Sequence, residues 1–210
     1  MSTKEIRCAA LELRAEGTNS KPRIAGLAAR FGAKTTIAHG LNEVIAKGAF
    51  KRSISEGNDV VLNFNHSDDK VCARVAAGTL TLRETDAGLA FDAEVDLGIS
   101  YVSDLYKNIR AGNIAECSFA FIPYADGDSI EADPSERGAM LRTLRAVKLY
   151  DVSAVTFPAY GSGATNVSAR TVLADGLEQR ARLAAASSVE VSERDLAHAR
   201  ARLELAKRIS

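Results

Sequence analysis

Apolar and polar side chains alternate with a period of two in much of the chain up to residue 160, a pattern typical of half-buried β-strands. This alternation predicts strands at residues 24–31, 59–64, 80–83, 89–95, 114–122 and 144–157. The segment 84–88 contains the turn-forming residues Asp86 and Gly88 and predicts a hairpin between the third and the fourth of these strands.

Two segments instead repeat apolar residues every three or four positions, which predicts amphipathic helices at residues 46–55 and 101–110. Gly57 and Gly112 follow these segments, and glycine commonly ends a helix. Many short strands with two helices indicate a mainly β fold with peripheral helices (α+β), built as a β-barrel or a sandwich.

The distribution of aromatic residues divides the chain into two parts. All seven phenylalanines and five tyrosines lie at or before Tyr160, whereas the remainder is rich in alanine, arginine and glutamate. Because aromatic side chains contribute much of a core, we expect a packed domain at residues 1–163. A Gly/Ser-containing, linker-like stretch at 161–165 marks the boundary, and the tail at 164–210 is expected to be helical or partly disordered.

Composition excludes several classes of protein. The apolar fraction of 46% and the charged fraction of 26% are ordinary for a globular protein, and the formal net charge is zero. Zero net charge disfavours a protein that binds nucleic acid through an excess of positive charge. No apolar run approaches the ~18–20 residues of a membrane span, and the first residues lack the apolar core of a signal peptide. We therefore expect a soluble, cytoplasmic protein.

Cysteine and histidine are both scarce. Cys8, Cys72 and Cys117 are an odd number without C-x-x-C spacing, so neither a disulfide framework nor a zinc site is expected. Buried free thiols are the simplest interpretation. Only three histidines, at 39, 66 and 198, could serve an imidazole-dependent reaction.

His66 and Ser118 are candidate catalytic residues. His66 follows the apolar strand 59–64, where a scaffold can expose a general base, although this segment alone favours a solvated surface histidine. Ser118 alternates with Cys117 and Phe119, so it is expected to point away from the aromatic layer, where a substrate could approach. Cys117 is a rival nucleophile, but it is expected on the core side, and a lone strand serine is usually structural.

Asp151 interrupts a strongly β-forming segment. A carboxylate within a strand must be paired, hydrogen-bonded or exposed. It could orient an imidazole, as the acid of a Ser-His-acid triad does, or it could face water from an edge strand. These residues alone do not decide between the two.

In chain order, these segments resemble the prohead maturation proteases of tailed phages, serine peptidases that share the herpesvirus assemblin type of fold. The resemblance covers about residues 22–165. Each matched piece is short. The first three family patterns are an opening strand, E-x-I-x-x-G-A-F and a histidine motif of the N-H-D type. The other three are D-x-G-L-x-F, M-S-F-G-F and L-x-E-V-S-V-V-T-x-P-A-Y. The matching segments of this chain are 24–28, 43–50, 65–68, 86–91, 117–121 and 149–160, with Ser67 before the acid of the histidine motif and with Cys117 and Ala120 in place of Met and Gly.

The resemblance implies a serine endopeptidase with an assemblin-like β-barrel. Ser118 is implied as nucleophile and His66 as general base, and Asp151 is favoured as the third member over Asp68 and Asp69, which are near His66 only in sequence. Backbone amides, for example after Pro158, would supply the oxyanion hole. The mechanism needs no metal or cofactor.

Capsid and scaffold polypeptides are the implied partners, inside an immature shell in the host cytoplasm. The tail at 164–210 could direct the enzyme to the scaffold and be cleaved by the enzyme itself, and a homo-oligomer is compatible with the sequence. The alternative from another class is a non-catalytic scaffold or assembly protein that retains the fold.

Overall fold

A computed structural model describes residues 4–9, 13–18 and 21–157 of the chain. These residues form mainly strands: β1 (Glu5–Ala9), β2 (Leu13–Thr18), β3 (Lys21–Arg30), β4 (Thr35–Ala38), β5 (Leu41–Ile45), β6 (Val61–Phe64), β7 (Val71–Arg74), β8 (Leu80–Glu84), β9 (Gly88–Glu94), β10 (Glu116–Pro123), β11 (Asp128–Ala132), β12 (Met140–Leu144) and β13 (Val147–Val155). Two helices, α1 (Lys51–Ser55) and α2 (Ser100–Arg110), complete the described fold. The tail at 164–210 lies outside the described residues, and the domain boundary expected there stays a prediction.

The strands form three sheets. A five-stranded sheet has the order β1-β10-β13-β6-β7, and two four-stranded sheets have the orders β11-β12-β5-β4 and β2-β3-β9-β8. Within the described ranges each sheet is open, with a strand at either edge, and none closes into a barrel. The mainly β class with few helices is therefore confirmed, whereas the assemblin-like barrel is not. In the described part of the chain, no helix is long and apolar enough to cross a bilayer.

The elements predicted from periodicity are present, with two corrections. The strand expected at 144–157 is broken into β12 and β13, because the N–H groups of Arg145 and Ala146 both donate to the carbonyl of Gly127. The chain thereby passes from a four-stranded sheet to the five-stranded one. The first helix begins only at Lys51, because Gly48 has φ of +92° and residues 47–50 form a turn. The second helix and the β8–β9 hairpin are confirmed.

A continuous apolar core lies behind the five-stranded sheet and contains most of the phenylalanine side chains of the described chain. The Phe119 and Phe121 rings stack at 5.2 Å, and Phe50 meets Phe119 edge-on at 5.4 Å. Helix α2 contributes the apolar residues of one face to the same core. The three cysteines are free and buried, as expected.

Candidate active site

Three adjacent strands of the five-stranded sheet carry the candidate residues. Ser118 lies in β10, Asp151 lies in β13 beside it, and His66 follows the end of β6 on the other side of β13. In the register between β10 and β13, Ser118 is opposite Ser153 and Ala120 is opposite Asp151. Because paired residues share a face, Ser118 and Asp151 lie on the same side of the sheet, away from the phenylalanine layer.

His66 joins the other two residues by hydrogen bonds. Its Nε2 lies 2.6 Å from Ser118 Oγ and its Nδ1 lies 2.7 Å from Asp151 Oδ1. The structure thus brings His66 and Ser118, the implied base and nucleophile, within hydrogen-bond distance of each other. Asp151 is in a central strand and is 1% exposed, so it is not an edge-strand aspartate that faces water. Asp68 and Asp69 are exposed, and it is Asp151 that binds His66.

The histidine is held in a conformation that most residues avoid. Asn65 and His66 have φ of 53° and 55°, in the left-handed region where non-glycine residues are uncommon. The Asn65 side chain accepts from the Thr156 N–H at 2.9 Å and donates to Thr156 Oγ1 at 3.1 Å. The His66 N–H donates to Ser153 Oγ at 3.0 Å. The end of β13 therefore holds the strained histidine turn in place.

Sequence reasoning missed Asn65, Ser153 and Thr156 as parts of the site. Asparagine before the histidine was a usable signal, because it adopts positive φ more readily than most residues. Ser153 and Thr156 gave no comparable signal, since serine and threonine are common in strands. Their partners lie 87 and 91 positions earlier in the chain.

Burial and charge act in opposite directions on the pKa of His66. Burial lowers that pKa, but the hydrogen bond to Asp151, the neighbouring Cys8 and the negative charge of Asp151 together raise it from 6.5 to about 9. The other carboxylate oxygen of Asp151, Oδ2, lies 3.2 Å from Lys4 Nζ. In this arrangement the imidazole is protonated at neutral pH and donates from both ring nitrogens.

Ser118 makes a second contact that bears on its reactivity. Its Oγ also donates to the backbone carbonyl of Arg7, in β1, at 2.9 Å. A hydroxyl has one proton, so it cannot donate to that carbonyl and to His66 at the same time. The expectation that a substrate could approach Ser118 directly is wrong for this state, because β1 covers the residue and its exposure is 0%.

Cys117 has no access to the site. It lies on the opposite face of β10 from Ser118, is 0% exposed, and belongs to the apolar core with Phe119. Burial strongly raises the pKa of its thiol, so the reactive thiolate is disfavoured. The position expected to supply oxyanion donors, after Pro158, lies outside the described residues.

Comparisons with known proteins identify the family of the chain. The sequence model of a family described as caudovirus prohead serine protease matches residues 9–176. A solved structure of the bacteriophage T4 capsid assembly protease, gp21, aligns with a TM-score of 0.44 and 14% sequence identity, covering 72% of this chain and 98% of that one. No curated protein matches the chain.

Proposed function

Because the chain belongs to the caudovirus prohead serine proteases, we propose that it is a serine endopeptidase acting in phage prohead maturation. It cleaves scaffold and capsid-protein segments, and itself. The observation that carries the proposal is the unbroken series of hydrogen bonds from Asp151 through His66 to Ser118. Aspartate, imidazole and hydroxyl in this order are the parts that activate a serine for acyl transfer.

In the first half of the reaction, neutral His66 accepts the Ser118 proton at Nε2 while Oγ attacks the scissile carbonyl carbon. Asp151 accepts the Nδ1–H, keeps the ring in the required tautomer and stabilises the imidazolium that forms. The tetrahedral intermediate then collapses. Its C–N bond breaks as Nε2–H protonates the leaving amine, and an ester of Ser118 remains.

In the second half, water replaces the departed amine. His66 takes a proton from the water at Nε2, the hydroxide attacks the ester carbonyl, and the C–O bond to Ser118 breaks. The proton returns to Oγ, so that the enzyme ends as it began. Every proton transfer uses one nitrogen of one ring, which is why the orientation of His66 matters.

The substrates, location and tail belong to the same proposal. The partners are capsid and scaffold polypeptides within a prohead in the host cytoplasm, and a homo-oligomer is compatible with this setting. Residues 164–210 form a tail that directs the enzyme to the scaffold and is removed by self-cleavage. We also propose that the chain shares the assemblin-like architecture of its family, although the described sheets are open.

Co-expression with the capsid and scaffold polypeptides of the same phage tests the proposal. Intact mass spectrometry should detect truncated products with the wild type and none with Ser118→Ala or His66→Ala. Ser55→Ala is the matched control, because Ser55 is an exposed serine in α1 that bonds only its own helix. Processing that survives in Ser118→Ala refutes this nucleophile. Assembly of proheads without any processing favours the non-catalytic scaffold protein instead.

A further inference from the structure

The first described strand covers the candidate nucleophile. Strand β1 pairs antiparallel with β10, with Cys8 opposite Ser118 and Arg7 opposite Phe119. It is an edge strand of the five-stranded sheet, so β10 would itself be the edge if β1 were absent. An exposed edge strand offers a row of backbone N–H and C=O groups with which another extended chain can pair.

The contact between β1 and Ser118 opposes catalysis. The hydroxyl of Ser118 donates to the Arg7 carbonyl oxygen and so approaches its oxygen end, whereas nucleophilic attack occurs at the carbonyl carbon. The proton that His66 would have to remove is committed to that carbonyl. Strand β1 therefore contacts Ser118 as an inhibitor would and not as a substrate would.

Buried charges attach β1 to a second sheet. Arg7 donates to both carboxylate oxygens of Glu43 in β5, at 2.5 and 2.8 Å. Glu5 accepts from both terminal nitrogens of Arg142 in β12, at 2.6 and 2.9 Å. All four residues are at most 6% exposed. Charges removed from water in this way hold a strand only while all partners are present, because a missing partner leaves another buried and unpaired.

We propose that β1 is a built-in competitor of the substrate: it occupies the edge of β10 where an extended peptide must pair, and it must leave before Ser118 can act. This inference rests on the proposed protease function. The substrate class that follows is a polypeptide segment in extended conformation, since only an added strand restores the backbone hydrogen bonds that β10 loses with β1. A helical or folded segment would not replace it.

A reversible covalent lock in the full-length chain tests the proposal. Ile6 and Ala120 are direct partners in the β1–β10 register, which is the spacing a disulfide requires. The double variant Ile6→Cys/Ala120→Cys is compared in its oxidised and reduced forms. The readouts are labelling of Ser118 by a fluorophosphonate probe and cleavage of an unfolded scaffold polypeptide. Ile6→Cys alone, treated identically, controls for the three native cysteines.

We expect the oxidised form to lose both activities by about tenfold or more and the reductant to restore them, because the locked strand cannot leave. Equal activity in the two forms overturns the competitor role while leaving the protease function intact. Absence of Ser118 labelling and of cleavage in both the wild type and the reduced variant overturns the protease function, and the competitor role with it.

A loosened strand gives a second and opposite readout. Arg7→Gln removes the ion pair with Glu43, so β1 should detach more often and the probe should label Ser118 severalfold faster even though the protein melts earlier. Arg23→Gln is the control, since it removes an exposed ion pair with Asp92 in another sheet. Slower labelling in Arg7→Gln than in Arg23→Gln contradicts the proposal.

Discussion

Replacing Asp151 by asparagine separates the charge of the residue from its shape. The amide can still lie beside Nδ1 of His66, where the carboxylate oxygen is 2.7 Å away, but the negative charge is lost. Burial lowers the pKa of His66, while Asp151 is a main cause of its rise to about 9. Without that charge, we expect the pKa of the imidazole to fall from about 9 towards its ordinary value of 6.5.

The magnitude follows from the size of the shift. The difference between about 9 and 6.5 corresponds to about 3 kcal/mol of preferential interaction with the imidazolium. At pH 7 the free wild-type enzyme then has only about 1% of His66 in the basic form, and the rate should rise with pH until about pH 9. Asp151→Asn should remove this dependence above neutral pH, yet lower the maximal rate by about 10⁴, because the wrong tautomer is favoured.

The assay is the pH profile of kcat/KM on an unfolded scaffold polypeptide, together with NMR titration of His66. Asp68→Asn is the matched control and should leave both the profile and the maximal rate unchanged, since Asp68 is exposed and Asp151 binds the ring. An unchanged inflection and an unchanged maximal rate in Asp151→Asn would refute the assignment of the third residue. A shifted inflection with a full maximal rate would refute only the tautomer argument.

Other consequences concern stability and positioning. Below pH 6.5, the difference in free energy of unfolding between the wild type and His66→Gln should have its full value. As the pH rises through 9, this difference should decrease by up to about 3 kcal/mol, as measured by urea unfolding. Ser153→Ala should lower kcat about tenfold or more with little change in KM, because the His66 N–H loses its acceptor. The control is Ser53→Ala, which also removes a buried acceptor of a backbone N–H, and it should lower only the melting temperature. Gly88→Ala should prevent stable folding, as seen by circular dichroism, because its Cβ would lie 1.8 Å from the Ala29 carbonyl oxygen.

The alternation of apolar and polar residues was sufficient to predict which face of β10 carries Ser118. It was insufficient to predict that Ser118 is buried. Alternation along β10 placed Phe119 in the core and Ser118 on the other face, since side chains in a strand must alternate. The burial of Ser118 depends instead on β1, which is more than one hundred residues away in sequence. Glu5 and Arg7 make β1 look like a surface segment, and they are buried only because their charges are paired in space.

The acid of the site illustrates a second limit. Asp151 and Asp68 are equivalent in chemistry, and Asp68 is much nearer to His66 along the chain. The choice depends on β13 lying parallel to β6 and ending beside the histidine turn, a neighbour relation that hydrophobic periodicity does not contain. Family resemblance favoured Asp151 because it compares whole sets of positions, and the hydrogen bond from Nδ1 agrees with that choice.

The same contacts that bring the candidate residues together also restrain the Ser118 hydroxyl. Asp151 and Cys8 raise the pKa of His66, and Cys8 lies in the strand whose neighbouring carbonyl holds the Ser118 proton. Departure of β1 would remove the carbonyl of Arg7, the thiol of Cys8 and the ammonium of Lys4 from the site in one step. The hydroxyl would then be free to donate to His66. On the competitor proposal, strand exchange therefore couples occupation of the β10 edge by a peptide to release of the Ser118 hydroxyl from the Arg7 carbonyl.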